Sequence, residues 1–301
     1  MATIRLDGHD IEVTKADKEL FPADNVTKGD LVEYYRSVAE VMLPHLAGRP
    51  LTMRRFPDGI DSDGFFQKHP SAHFPDWMTV VEVPQRTRGE TVTHVVCDSA
   101  ATLAYLANQA AVEFHIWLST MDDIDRPDRL VIDLDPPPDI EVAVLRSIAH
   151  RFRDLFTEIG LTPFTQATGG RGYHVVAPLD RSEDFDFVRA LALDLAERVA
   201  EAEPDLVTTA QRKQRREGRI FLDVGRNGYA QTFVAPYSLR ARPGAAIATP
   251  LDWDELGRSR PNGVTITKMR RRLAQKTDPW ARIDDHAASP TEARNRFDAL
   301  G

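Results

Sequence analysis

Residues 130–139 read LVIDLDPPPD, two aspartates inside a strand-forming run that three prolines then stop. Val131, Ile132 and Leu134 favour a strand, and side chains alternate faces along a strand. Asp133 and Asp135 therefore share one face, with Cα atoms roughly 6.6 Å apart, while Leu134 faces the other way. Prolines cannot donate ladder hydrogen bonds, so the strand is predicted to end at Asp135. Two carboxylates at one strand end repel each other unless a proton or cation is shared. An all-oxygen donor set of this kind suits Mg²⁺ or Mn²⁺. The same residues also suit a solvated strand end or a pair of helix caps.

A second acidic strand, GRIFLDVGRNGY at 218–229, leads Ile220, Phe221 and Leu222 into Asp223. Three carboxylates can hold two divalent ions, the arrangement that serves in-line phosphoryl transfer. Taken alone, Asp223 also reads as an exposed strand terminus. Between the two acidic strands lies FTQATGGRGYHVVAPL at 164–179. Its glycines let backbone amides turn toward an anion, and Thr168, Arg171 and His174 add donors. This reads as a triphosphate cradle between two strands, or as a glycine-rich hairpin turn. It lacks the P-loop spacing. Upstream, DGFFQKHP at 63–70 places Phe65 and Phe66 before Lys68 and His69. An exposed phenylalanine there can stack on a base, and both can equally pack into the core.

The elements that must hold these residues follow from periodicity and capping. Helices are predicted over 27–47, 100–113, 141–159 and 183–201, the first capped by Thr27 with Asp30 at the capping-box distance. Strands are predicted at 51–56, 92–97, 130–135, 163–167, 173–178, 219–223 and 231–234. The mixture is that of an α/β or α+β enzyme core. With 301 residues, 42% hydrophobic and 28% charged, the chain can bury a full core. A soft boundary is expected near 240–250, and the tail beyond it is too short and polar for a core of its own. The single cysteine, Cys97, excludes an intramolecular disulfide and a cysteine-rich zinc site. With no apolar signal core and no long apolar run, a cytoplasmic protein without a membrane partner is expected. The net charge of −8 argues mildly against nucleic acid, but its distribution is uneven. QRKQRREGR at 211–219 and KMRRRLAQK at 268–276 each hold five basic residues. Such runs are usually solvated faces, and two of them point to a phosphate-rich ligand.

Taken together, VIDLD, TGGRGYHV, RIFLDVGRN and APYSLRAR in that order, with DKELFP, TKGDL, FFQKHP and AVEFHIW upstream, resemble the polymerase domain of bacterial ligase D. This is the non-homologous end-joining polymerase family of the archaeo-eukaryotic primase superfamily. The resemblance implies an α+β fold with a primase-like core of mostly antiparallel sheets flanked by helices. It implies one catalytic domain over 1–301, with template and 5′-phosphate contacts in about 1–125, a catalytic core in about 126–245 and an extension over 246–301.

It also implies roles for matching residues. Asp133, Asp135 and Asp223 would hold two Mn²⁺ or Mg²⁺ ions. Thr168, Arg171 and His174 would bind a ribo- or deoxynucleoside triphosphate, His115 would approach its sugar or phosphates, and Arg216 and Arg240 would line the triphosphate and template pocket. Phe65 and Phe66 would stack on template bases. Lys18 and Lys28 would receive the downstream 5′-phosphate, as point-charge binders. Two departures stand out: Thr168 and Arg171 occupy positions where the family often has serine and lysine, and Ile116 follows His115 where proline is frequent.

The implied function is templated addition of a few nucleotides to 3′-hydroxyls at breaks and short gaps, with a ribonucleotide preference. The implied partners are DNA with 5′-phosphorylated ends or gaps, a separate DNA ligase and a Ku-type end-binding protein, with the enzyme on the nucleoid when bound to DNA. No K-x-D-G ligase motif is present and a phosphoesterase module has no room, so a stand-alone polymerase or an excised domain is expected. A primase-polymerase for priming or base-excision gap repair, and a non-catalytic end-bridging module, are the competing readings.

Overall fold

The alternation in VIDLD organises half of the structure. In a computed structural model that describes residues 2–86 and 89–301, the chain runs through β1 (Ala2–Leu6), β2 (His9–Val13), β3 (Glu19–Phe21), β4 (Val26–Thr27), α1 (Lys28–Leu46), β5 (Leu51–Arg55), β6 (Phe65–Gln67), β7 (Val80–Pro84), β8 (Thr91–Val95), α2 (Ala100–Asn108) and β9 (Ala111–Trp117). It continues through β10 (Arg129–Asp135), α3 (Val142–Glu158), β11 (Phe164–Ala167), β12 (Tyr173–Pro178), α4 (Phe185–Ala202), β13 (Val207–Thr208), β14 (Ile220–Asp223), β15 (Thr232–Val234), β16 (Thr249–Leu251), α5 (Ile266–Leu273) and α6 (Pro290–Asp298). Residues 1–122, 232–248 and 264–277 form one unit, and 123–231, 249–263 and 278–301 form another.

The second unit is built on a six-stranded sheet ordered β13-β14-β10-β12-β11-β16. Every neighbouring pair is antiparallel except β13–β14. Leu130, Ile132 and Leu134 of β10 point into a core shared with Leu145, Ile148 and Phe152 of α3 and with Val188, Leu191 and Leu195 of α4. Because side chains alternate, burying this Leu/Ile row under two helices turns Asp133 and Asp135 to the opposite face. Both helices are amphipathic, and Asp184 caps α4 by accepting from Phe187 N at 2.9 Å.

The first unit carries a four-stranded antiparallel sheet ordered β15-β9-β5-β6 and the hairpins β1–β2, β3–β4 and β7–β8. The predicted capping box opens α1: Thr27 Oγ1 accepts from Asp30 N, and Asp30 Oδ2 accepts from Thr27 N at 2.9 Å. α2 is shorter than its Ala/Leu-rich sequence predicts. It ends at Asn108, Ala110 adopts φ +57, and 111–117 is a strand instead of a continuing helix. The reason is tertiary. Val112, Phe114 and Ile116 are buried, and β9 sits between β5 and β15 in the sheet, which overrides helix propensity. Among the described residues no helix is long and apolar enough to cross a membrane.

Candidate active site

In the second unit the register of three strands gathers the predicted acidic residues. Asp133 lies directly opposite Asp223 on β14 and opposite His174 on β12. Asp135 is two residues along the same strand, so it shares their face. His174 Nε2 is 3.6 Å from Asp133 Oδ1. Gly225 N donates to Asp223 Oδ1 at 2.8 Å, so the turn after β14 fixes that carboxylate.

Two residues that the sequence motifs did not single out complete this arrangement. Asn227 is fully buried. It accepts from Val131 N at 2.8 Å and donates to Val131 O at 2.7 Å, clamping the 3-10 turn Gly225–Asn227 to β10. That turn aims Arg226 between the acids, 3.5 Å from both Asp133 and Asp223. The signal for Arg226 was its place three residues after Asp223, which acquires meaning only with the turn.

Arg216 stacks on Phe221, with its guanidinium carbon 3.7 Å from the ring centroid, and lies 3.2 Å from Asp135 Oδ2. Its other nitrogens donate to Ala210 O and Gln211 O, so the planar head is held on several sides. Arg171 approaches Asp135 from the other side at 3.6 Å and is half exposed.

The glycine-rich loop differs from an open cradle. Thr168 is buried, and its hydroxyl donates to Gly172 O at 2.9 Å. Gly169 N donates to Pro261 O, and Gly170 N donates to Thr168 Oγ1. These groups close the loop, which leaves Arg171 as its exposed cation. Gly172 is required by space: a Cβ there would lie 1.9 Å from Leu134 O, so the loop runs directly against the acidic strand.

Among the described residues no three His, Cys, Asp or Glu side chains converge closely enough to hold a metal ion as they stand. The donor chemistry nevertheless fits a hard divalent cation. Three carboxylates share a face, and each is faced by an arginine that neutralises it. Asp133, Asp135 and Asp223 are the residues that would hold such an ion, and the partly exposed Arg226 lies against the first and last of them.

In the first unit, His115 and Arg240 converge on Glu113, a residue of the AVEFHIW motif to which the sequence alone assigns no role. Glu113 and His115 share a face of β9, with Nε2 to Oε2 at 2.9 Å. Ala241 N donates to Glu113 Oε1 at 2.8 Å, and Arg240 and Arg54 lie 3.5 and 3.7 Å from the same oxygen. The Glu113 side chain is only 2% exposed. Burial pushes its carboxyl upward, but His115, Arg240 and the Ala241 amide together outweigh that and hold it at about 2.

A carboxyl depressed on folding contributes stability above its ordinary value of 4.5, and that contribution is lost as pH falls toward 2. Wild type is expected to lose about 2 kcal/mol from this group between pH 7 and pH 3. Glu113→Gln, which has no such charge, should lose that much less in urea denaturation; parallel pH curves would remove the ion cluster from the account.

Phe66 packs edge-on to His115 at 6.1 Å between centroids, with Arg54 over its ring. Phe65 lies beneath Arg55. Adjacent strand residues normally divide between inside and outside, yet Phe65 and Phe66 are 46% and 63% exposed. Both are bare because β6 is a three-residue edge strand. Elsewhere in this unit, Lys28 is buried and donates to Thr14 Oγ1 at 2.9 Å. Its burial, with Lys15 and Lys18 nearby, lowers its ammonium from the ordinary lysine value. Lys18 Nζ pairs with Asp58 at 2.8 Å.

Residues 27–280 match the family model described as LigD, primase-polymerase domain. The chain is 37% identical over 285 residues to the multifunctional non-homologous end joining DNA repair protein LigD of Mycobacterium tuberculosis, covering 92% of this chain and 37% of that protein. It is 30% identical over 272 residues to the bifunctional non-homologous end joining protein LigD of Bacillus subtilis, covering 90% and 43%. It thus spans less than half the length of these relatives. Among solved structures it is similar to the polymerase domain from Mycobacterium tuberculosis ligase D in complex with DNA, with a TM-score of 0.85, 36% identity, and coverage of 92% of this chain and 99% of that one.

Proposed function

We propose that this chain, which belongs to the LigD primase-polymerase domain family and is a nucleotidyltransferase, adds a few templated nucleotides to 3′-hydroxyls at DNA breaks and short gaps bearing a downstream 5′-phosphate. The observation that carries this reading is the single sheet face on which Asp133, Asp135, Asp223 and His174 meet Arg171, Arg216 and Arg226. Carboxylates interleaved with arginines can receive both cations and phosphate oxygens.

Asp133, Asp135 and Asp223 would hold two Mn²⁺ or Mg²⁺ ions. When bound, the ions would lower the pKa of the attacking hydroxyl and stabilise charge on the transferring phosphorus. Arg171, half exposed, and Arg216, held in place by Phe221, Ala210 and Gln211, would offer forked donors suited to phosphate to the triphosphate. His115 and Arg240, held by Glu113, would serve the sugar and phosphates of a ribo- or deoxynucleotide, ribonucleotides being preferred. Phe65 and Phe66 supply exposed stacking surfaces for template bases. A separate ligase and a Ku-type end-binding protein would complete end joining in the cytoplasm.

Lys18 and Lys28 would receive the 5′-phosphate. A phosphate dianion relieves the crowding of Lys28 by Lys15 and Lys18 and replaces Asp58 on Lys18. Lys28→Gln is expected to reduce the binding preference for a 5′-phosphorylated gap over a 5′-hydroxyl gap by about 10- to 100-fold. Fluorescence anisotropy with the two gaps checks this, and an unchanged preference removes Lys28 from the phosphate site.

A further inference from the structure

The second basic run of the sequence is not used by any of these sites. It folds as α5, whose Met269 is buried while Lys268, Arg270 and Arg271 are exposed. At 100° per residue, Arg271 stands opposite the buried edge, with Lys268 and Arg270 on either side of it. The segment 268–276 itself contains no acidic residue.

Its location is fixed within the first unit. Thr265, the residue before α5, bridges to Ala246, and Ile247 N donates to Val264 O. The same loop ties Gly244 N to Asp24 Oδ2 at 2.8 Å, in the turn that leads into Lys28. Glu33, on the second turn of α1, is held below the ordinary carboxylate range chiefly by Arg36, and Arg270 adds to the pull. α5 is therefore anchored through the 244–247 loop to the turn at Asp24, with Arg270 toward Glu33 of α1, in the unit that also carries Lys18 and Lys28. Eight residues make a helix of about 12 Å, long enough to face about three phosphates of one DNA strand at about 3.4 Å each along the axis.

We propose that the exposed face of α5 grips the phosphodiester backbone of the downstream duplex, beyond the 5′-phosphate. This rests on the reading of Lys18 and Lys28 as the seat of that phosphate. In a chain of net charge −8, such a local basic face gives duplex affinity that the overall charge opposes.

The test is anisotropy binding of the full chain and of Lys268→Glu/Arg271→Glu to three DNAs sharing one upstream primer-template: a gap with a 5′-phosphorylated downstream duplex, the same gap with a 5′-hydroxyl, and no downstream strand. The double variant is expected to bind both gapped DNAs about 10-fold more weakly, with the salt slope reduced by about 2, and to match wild type on the DNA without a downstream strand. That match also shows that the variant is folded. Lys268→Gln/Arg271→Gln should give a smaller change of the same pattern. Wild-type affinity of the double variant for both gapped DNAs, or equal weakening on all three DNAs, overturns the proposal. Loss of phosphate preference in wild type would instead refute the Lys18/Lys28 reading, and the duplex comparison would still report on α5.

Discussion

Asp133→Asn is expected to slow nucleotide addition by at least about 10³-fold, equivalent to about 4 kcal/mol of transition-state stabilisation. Asp133 is the one acid whose register places it opposite both Asp223 and His174. Asparagine keeps its shape but removes the charge a divalent ion requires. The fold should survive, because Arg226 retains Asp223 and the core face of β10 is untouched. In the metal-free protein the change removes one carboxylate from the two that share Arg226, so repulsion and pairing are lost together and its unfolding midpoint in EDTA should stay close to that of wild type. Manganese with a nucleoside triphosphate should raise the midpoint of wild type and leave the variant nearly unmoved, since only a state with a bound ion gains stability by mass action. Normal extension by Asp133→Asn would remove this face from the chemistry.

Gly172→Ala should be among the most damaging single-methyl changes in the chain. The added Cβ would sit 1.9 Å from Leu134 O and within 3.4 Å of Pro136 Cδ. Neither contact is the free end of a flexible side chain, so β10 and the loop must separate. Overpacking against backbone costs about 3 kcal/mol or more, and separation moves Asp133 and Asp135 relative to His174. Both stability in urea and extension should fall together. Gly257→Ala is the control: nothing lies within 4 Å of its added methyl, and a change within about 0.5 kcal/mol is expected. If Gly172→Ala proved as mild as Gly257→Ala, the loop would not be pressed on the acidic strand.

The acidic strands were legible because a period of two leaves little freedom. VIDLD, YHVVAP and RIFLD each place a defined set of side chains on one face, and antiparallel pairing brings those faces together. The capping box of α1 was equally local. What the sequence did not reveal depends on distant partners. AVEFHIW continues an Ala/Leu-rich helical run, and only its place between β5 and β15 makes it a strand that sets Glu113 beside His115. Arg226 acquires its role from a turn clamped by Asn227 to Val131, nearly a hundred positions away in sequence. The donors of the glycine-rich loop looked available, but the hydrogen bonds that close it consume Thr168 and two amides. The exposure of both Phe65 and Phe66 follows from the edge position of β6, which no local pattern encodes.

The most direct test of the central claim is single-turnover extension of a primer across a one-nucleotide gap with a downstream 5′-phosphate, in Mn²⁺, with each ribo- and deoxynucleotide supplied separately. Addition of the templated nucleotide is expected, faster for the ribonucleotide, with one pyrophosphate released per addition. Tight binding of the gap without addition, or a primer that shortens, would contradict it.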